Sequence, residues 1–314
     1  MKQVTGGVCA AQGFSAAGIH CGIRRNQSKR DLALIYSAVP ASAAAVYTSN
    51  LVKGAPLTVT KAHLADGKAQ AVICNSGNAN TCNANGIEIA EQMSELLAQA
   101  LQIQSSDVVV ASTGVIGQPL DIAPIAAGIP ELVKNLGPHS AEAAEGIMTT
   151  DTKRKEIAVS FTVGGKECRI GGICKGSGMI HPNMATMLVY VTTDAKADPA
   201  DLQKMLSAAV DKSFNMCTVD GDTSTNDSIF LLANGASGVE IKTEEDKKAM
   251  ADLVLAMQTI MERGEKLAAP PSAALSEIVR REPYPVKGKA EEILHRLKEF
   301  GMTRFKLLFR GSRS

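Results

Sequence analysis

Apolar and polar positions repeat with helical spacing in some stretches of the chain and with strand spacing in others. From Ile87 to Leu101, apolar residues recur every three or four positions, which predicts an amphipathic helix. Asp198 followed by Pro199 predicts the start of another helix, with Asp198 as its N-cap. The same reasoning places further helices at 122–136 and 244–262.

Short apolar runs separated by Gly, Pro, Asn and Ser predict strands. They lie at 32–39, 43–47, 55–59, 70–74, 107–111, 156–163, 167–173 and 228–233. Gly164 and Gly165 are typical of the turn of a hairpin between two of these runs. Strands and helices alternate without the regular βαβ rhythm of a parallel sheet.

Composition narrows the class of protein. Apolar residues make up 45% of the 314 residues, whereas aromatics make up 4% and Trp is absent, so we expect an aliphatic core. A formal net charge of +1 excludes the strongly basic surface of a non-specific nucleic-acid binder. No apolar run approaches the roughly 18 residues of a membrane span, and the N-terminal residues do not resemble a signal peptide. We therefore expect a cytoplasmic protein that binds neither nucleic acid nor membrane.

Metal and cofactor motifs are not found in the sequence. The seven cysteines are odd in number and lack CxxC spacing, which predicts reduced thiols. The five histidines form neither an HExxH pattern nor a Cys/His cluster. DGD at 220–222 lacks the spacing of a calcium loop, and KGSG at 175–178 lacks that of a phosphate loop. We expect no metal and no cofactor.

Two polar loops directly follow predicted strands. STGVIG at 112–117 combines hydroxyls with glycines, whose free backbone amides can hold an anion or an oxyanion. NSGNAN at 75–80 is rich in residues that turn the backbone and bond to it. For both loops, a purely structural turn and a ligand-binding loop remain open alternatives.

Thr186 lies where the glycine-containing loop that starts at Lys175 enters an apolar run. It is either an ordinary β-branched strand residue or a nucleophile, and a threonine nucleophile needs a base. If the chain were cut between Ala185 and Thr186, the freed α-amine, with a reference pKa of about 7.7–8.0, would supply that base. The small Ala185 would leave its carbonyl open to attack by the Thr186 hydroxyl.

Five motifs together resemble one family. KGSGMIHPNMATMLVYVTTDA, which starts at residue 175, resembles the self-cleavage segment of the ornithine acetyltransferase family, also called glutamate N-acetyltransferase. STGVIG, NSGNAN, MTTDT at 148–152 and SFNMCTVDGDTSTND at 213–227 are similar to its other landmarks, in the same order. The resemblance covers about residues 5–261.

The resemblance implies a role for each of several residues. Thr186 would be the nucleophile, and Ala185–Thr186 would be the self-cleaved bond. Thr113 and Gly114 would form the oxyanion hole through a hydroxyl and a backbone amide. The remaining implied positions bind substrate: Thr152, Lys175 and, if a one-residue gap is allowed, Glu265.

The implied reaction transfers acetyl from N-acetylornithine to Thr186 and then to glutamate, and acetyl-CoA is a further possible donor. The implied fold is an α/β sandwich of helices around stacked sheets, of the N-terminal-nucleophile type. Residues 1–185 would form an α fragment and 186–261 the start of a β fragment, with two such pairs forming a heterotetramer. The basic segment 262–314 does not match the family, and we expect a truncated or frameshifted C-terminus.

Two other readings remain open on the sequence alone. Besides the active acetyltransferase, one reading is a catalytically impaired fragment that lacks part of the substrate pocket. The other is an aminopeptidase or amidase that uses the same threonine chemistry with water as the acceptor.

Overall fold

The computed structural model describes residues 2–176, 187–213, 215 and 223–263. The described strands are β1 (Lys2–Val4), β2 (Phe14–Ile19), β3 (Leu32–Tyr47), β4 (Lys68–Asn78), β5 (Val108–Val115), β6 (Lys155–Val163), β7 (Lys166–Lys175), β8 (Leu188–Thr193) and β9 (Ser228–Ala233). The described helices are α1 (Ala55–His63), α2 (Gly86–Leu101), α3 (Ala123–Lys134), α4 (Ser140–Gly146), α5 (Pro199–Asp211) and α6 (Glu244–Arg263).

The nine described strands form one hydrogen-bonded sheet with the order β1-β6-β7-β8-β9-β3-β4-β5, and β2 pairs with β3 outside this path. The pairs β4/β5 and β8/β9 are parallel. Strand β3 joins the two halves of the sheet because it is long: its residues 32–37 pair with β2, and residues 42–47 pair with β9. The predicted α/β class is confirmed.

The two halves of the sheet share one hydrophobic cluster. Tyr190 and Phe230, from β8 and β9, stack with ring centroids 5.7 Å apart. They belong to the same buried cluster as Ile35 and Val72, which lie in the β3/β4 half, and as Ile147, which follows α4. The helices cover the outer faces: α5 and α6 pack with β6–β9 and the second half of β3, whereas α1, α2 and α3 pack with β2–β5. Most of this core is aliphatic, as the composition predicts.

Strong periodic signals predict the elements well. The helix expected from Ile87 to Leu101 is α2, and the cap expected at Asp198 is present, since its side chain accepts a hydrogen bond from the Ala200 amide at 2.9 Å. The predicted hairpin turn at Gly164 and Gly165 is confirmed, and both residues have positive φ angles.

One element and several boundaries were predicted wrongly: the loops predicted from Asn75 and Ser112 begin as strand, because β4 continues to Asn78 and β5 to Val115. Residues 55–59, interpreted as a strand, begin α1, because Pro56 occupies the first helical turn, where its missing N–H costs no hydrogen bond. The runs 32–39 and 43–47 are one strand, β3, which continues through Pro40 with an irregularity in its register to β4 between Tyr36 and Ala41.

No helix among the described residues is both long and apolar enough to cross a membrane.

Candidate active site

The two polar loops meet at the ends of the parallel strands β4 and β5. Ser76 pairs with Thr113, and Gly77 pairs with Gly114. The backbones approach so closely that a Cβ on Gly114 would lie 2.3 Å from the carbonyl carbon of Gly77. Gly114 also has a φ angle of +139°, in a region that glycine adopts readily and other residues avoid. Both features explain why glycine is needed here.

Lys175, at the end of β7, lies next to the predicted oxyanion hole. Its side chain is only 2% exposed, and its Nζ donates to the Thr113 Oγ1 at 3.4 Å. Burial lowers the pKa of Lys175, while the nearby Asp151 carboxylate opposes that shift. In the sheet, Lys175 is the partner of Leu188. The backbone of Lys175 therefore pairs with the start of β8, while its ammonium group lies against Thr113 of the Ser112–Gly117 loop.

Asp151 organises the chain around Lys175. Its Oδ1 accepts hydrogen bonds from the Gly176 amide at 2.7 Å and from the Lys155 Nζ at 3.0 Å. Burial would raise the pKa of Asp151, but these two donors and the positive charge of Lys175 hold it below its usual value. Thr152 follows directly and has an exposed side chain. Asp151 thus links the predicted substrate-binding segment to the end of β7.

Asp227 is the second buried carboxylate at this place, and it is 1% exposed. Its Oδ1 accepts a hydrogen bond of 2.7 Å from the amide of Met187, the residue that follows Thr186 in the sequence. Burial raises the pKa of Asp227 to about 8, although the Met187 amide, the Ser224 hydroxyl and the positive charge of Lys175 act in the opposite direction. The site therefore holds a carboxyl group that titrates near neutral pH.

This shift predicts a pH dependence of stability. The pKa of Asp227 is about 8 in the folded protein against an ordinary value of 3.8, so the folded state binds the extra proton between these values. The resulting stabilisation is complete below about pH 4 and is lost as the pH rises through about 8. We expect the free energy of unfolding, measured by denaturant titration, to fall less steeply over this window in Asp227→Asn. Equal slopes in both proteins would contradict this expectation.

The asparagine side chains of the 75–80 loop form hydrogen bonds with nearby parts of the chain, mainly with backbone carbonyls. The Asn75 amide donates to the Asn78 carbonyl at 2.9 Å and accepts from the Ser112 hydroxyl at 2.6 Å. The Asn80 amide donates to the Gly86 carbonyl at 2.8 Å. Of the two readings left open for this loop, these contacts favour the structural one, in which the loop supports the neighbouring Ser112–Gly117 loop.

The structure brings together some of the predicted site residues. Thr113 and Lys175 are in contact, Gly114 adjoins Thr113, and Thr152 is connected to them through Asp151. The other predicted residues, Ala185, Thr186 and Glu265, lie outside the described residues. Within the described ranges, no group of three or more His, Cys, Asp or Glu side chains is arranged to hold a metal ion.

Sequence reasoning missed the individual contacts of Asp227 and of Asn226, whose buried amide donates to the Ser112 and Ala79 carbonyls. Both end the motif SFNMCTVDGDTSTND and directly precede the apolar strand β9. That position was a usable signal, because a polar pair at the mouth of a buried strand must find partners inside the protein.

Comparison with protein-family models matches residues 15–268 to the ArgJ family. The chain is 52% identical over 241 residues to the arginine biosynthesis bifunctional protein ArgJ of Symbiobacterium thermophilum, covering 76% of this chain and 60% of that protein. It is 49% identical over 245 residues to the Bacillus subtilis protein of the same name, covering 77% and 60% respectively. The chain thus spans about three fifths of the length of these curated relatives.

Solved structures give the same result. The crystal structure of arginine biosynthesis bifunctional protein ArgJ from Bacillus halodurans matches with a TM-score of 0.55 and 43% identity, covering 58% of this chain and 97% of that chain. Ornithine acetyltransferase from Mycobacterium tuberculosis, crystallised with ornithine, matches with a TM-score of 0.53 and 33% identity, over 60% and 99%. An aminopeptidase from Ochrobactrum anthropi, described as a variant of the Ntn hydrolase fold, covers 96% of both chains with a TM-score of 0.55. At 13% identity it supports the fold alone.

Proposed function

Because this chain belongs to the ArgJ family, whose model matches residues 15–268, we propose that it is an acetyltransferase of arginine biosynthesis. It moves an acetyl group from N-acetylornithine to glutamate through an ester on Thr186. The named relatives are arginine biosynthesis proteins, and one structural relative was crystallised with ornithine. These facts support an amino-acid substrate.

The contact between Lys175 and Thr113 is the observation that carries the proposal. An ammonium group can only donate hydrogen bonds, so the Thr113 oxygen must be the acceptor in this contact. The hydroxyl proton of Thr113 is then free to point at a developing oxyanion, beside the amide of Gly114. Among the described residues, the structure shows Thr113 as the hydrogen-bond partner of the Lys175 ammonium, and we propose that its other protons bind a substrate carboxylate.

Two acyl transfers complete the cycle. In the first, the Thr186 hydroxyl attacks the acetyl carbonyl of N-acetylornithine, its proton passes to the α-amine, and the C–N bond breaks as ornithine takes up that proton. In the second, the amine of glutamate attacks the acetyl ester and gives up a proton to the α-amine, the ester C–O bond breaks, and the α-amine returns that proton to the Thr186 oxygen. Both steps form a tetrahedral oxyanion, so the same pair of donors serves both.

The α-amine becomes available through self-cleavage: the Thr186 hydroxyl attacks the Ala185 carbonyl, the peptide C–N bond breaks and frees the amine, and water hydrolyses the resulting ester. The products are the fragments 1–185 and 186–314. We further propose that the fragments stay associated, because β8, from the second fragment, pairs with β7, from the first. The same proposal includes three further points. Two such pairs associate into a heterotetramer. Thr152 and Glu265 contact the substrate, and acetyl-CoA is a second acetyl donor.

Acetyl transfer can be separated from hydrolysis by following a labelled acetyl group. The protein is incubated with N-acetylornithine labelled in the acetyl group, with and without glutamate, and the products are identified by mass spectrometry. We expect ornithine and labelled N-acetylglutamate in equal amounts, and acetylated protein when glutamate is omitted. Free labelled acetate as the main product would instead indicate an amidase, and an absence of ornithine release would indicate an impaired fragment.

A further inference from the structure

Asn226 connects three segments of the chain next to the predicted oxyanion hole. Its side chain is 5% exposed, and its Nδ2 donates to the carbonyl oxygens of Ser112 at 2.9 Å and Ala79 at 2.7 Å. Its Oδ1 accepts from the hydroxyls of Thr81 at 2.7 Å and Thr225 at 2.5 Å. The Ser112 carbonyl belongs to the peptide bond that leads into Thr113. Asn226 therefore fixes the orientation of the peptide from which the predicted oxyanion hole begins.

Asp227, the next residue, holds the backbone of Met187, next to the proposed nucleophile. It accepts the Met187 amide through Oδ1, and the amide of Ser228 donates to the Met187 carbonyl at 3.0 Å. Both polar groups of the Met187 backbone are thus held by the segment that starts β9. Met187 directly follows Thr186, so its backbone sets where the chain leaves the proposed nucleophile.

We propose that Asn226 and Asp227 are a pair of positioning residues that set the spacing between the oxyanion hole and the nucleophile. Their Cα atoms are about 3.8 Å apart, and their side chains reach different segments: Asn226 reaches the Ser112 carbonyl, and Asp227 reaches the Met187 amide. One of them can therefore hold the β5 side of the site while the other holds the start of β8. This inference rests on the proposed function, because it concerns the reaction at Thr186.

After self-cleavage, the hydrogen bonds of this pair would also hold two separate polypeptides together. After a cut before Thr186, Ser112 and Ala79 belong to the first fragment, whereas Asn226, Asp227 and Met187 belong to the second. The two Asn226 donor bonds then join separate polypeptides and keep the oxyanion hole in register with the nucleophile. Buried hydrogen bonds suit this task, because leaving either carbonyl unpaired is costly.

The test uses near-isosteric substitutions in the full chain. Asn226→Asp replaces the two donors with an oxygen that faces two carbonyl oxygens. Asp227→Ala removes the acceptor for the Met187 amide, whereas Asp227→Asn keeps a side-chain oxygen there. The matched controls lie at the opposite ends of the same strands: Asn234→Asp after β9, and Asp194→Asn after β8. Asn234 and Asp194 make comparable bonds to backbone groups.

Self-cleavage is followed by intact-mass measurement over time, and acetyl transfer by steady-state kinetics. We expect Asn226→Asp and Asp227→Ala to slow cleavage and lower kcat at least about 10-fold with little change in KM, because they displace groups used in the transition state. Asp227→Asn should recover most of the rate lost in Asp227→Ala. Both controls should cleave at the wild-type rate, even where their unfolding midpoints fall.

Equal slowing in Asn226→Asp and Asn234→Asp would show a general loss of stability and would overturn the inference. Asp227→Asn as slow as Asp227→Ala would overturn the role assigned to the acceptor oxygen. If Asn226→Asp does not fold, the comparison at Asp227 decides the question. Wild-type protein that is never cleaved would overturn the proposed function, whereas normal cleavage in all variants would overturn this inference alone.

Discussion

Thr186→Ala is expected to leave the chain in one piece, whereas the wild-type protein separates into two fragments on a denaturing gel. The variant lacks the hydroxyl that attacks the Ala185 carbonyl, and without a cut no α-amine is freed to act as a base. Both parts of the proposed chemistry are lost together, so we expect no detectable cleavage and no acetyl transfer. Intact mass gives the size of each fragment and hence the position of the cut.

Two further variants are the controls for this experiment. Thr186→Ser keeps a hydroxyl at the same place and should still cleave, which separates the loss of the nucleophile from a change in packing. Thr193→Ala removes a hydroxyl from the other end of β8, where it bonds to the Arg169 carbonyl at 2.9 Å, and should cleave normally. Cleavage in Thr186→Ala at the wild-type rate would exclude Thr186 as the nucleophile and would remove the basis of the proposed function.

The sequence predicts the elements that carry a clear local signal. The repeat from Ile87 to Leu101 gives α2 within a residue, because a helix that buries one face must place apolar residues at that period. Residues 55–59 carry no such signal, since a five-residue apolar run fits a buried strand and a helical turn equally well. There Pro56 is the deciding residue, and its preference for the first turn of a helix was the overlooked clue.

The residues of the candidate site also divide into those with a local sequence signal and those without one. Thr113, Gly114 and Lys175 were predicted from the sequence because they lie in motifs that resemble a family. The roles of Asn226 and Asp227 depend on contacts with Ser112 and Met187, which are 114 and 40 positions away in the chain. Such contacts leave no periodic trace, because each partner is placed by the register of the sheet and not by its neighbours in sequence.

The register also explains how distant segments of the chain build one site. The pairing of β4 with β5 brings Gly77 to Gly114, and the pairing of β7 with β8 brings Lys175 to Leu188. The contact of Lys175 with Thr113 then joins the two halves of the sheet. A shift of one residue in either pair would turn these side chains to the opposite face. The predicted catalytic geometry therefore depends on the whole sheet.

Gly114→Ala is expected to abolish both cleavage and acetyl transfer. A Cβ at this position would lie 2.3 Å from the carbonyl carbon of Gly77 and 2.5 Å from the amide nitrogen of Asn78, so the backbone must move. The movement would carry the Gly114 amide away from the oxyanion. Loss of one oxyanion donor costs about 10²–10³ in kcat, and displacement of the neighbouring Thr113 hydroxyl would add to that loss.

Gly117→Ala is the matched control, because Gly117 lies in the same loop with a φ of +77° and a Cβ there would meet no atom within 4 Å. It shares the backbone strain of Gly114→Ala without the collision, so it should lose stability but keep most of its cleavage. Thr113→Val removes the hydroxyl without crowding the backbone and should fall between the two. Cleavage time courses, taken below each variant's unfolding midpoint, will rank the three. If Gly117→Ala and Gly114→Ala are equally slow, backbone strain in the loop explains the loss, and the close approach of β4 and β5 has no special role in catalysis.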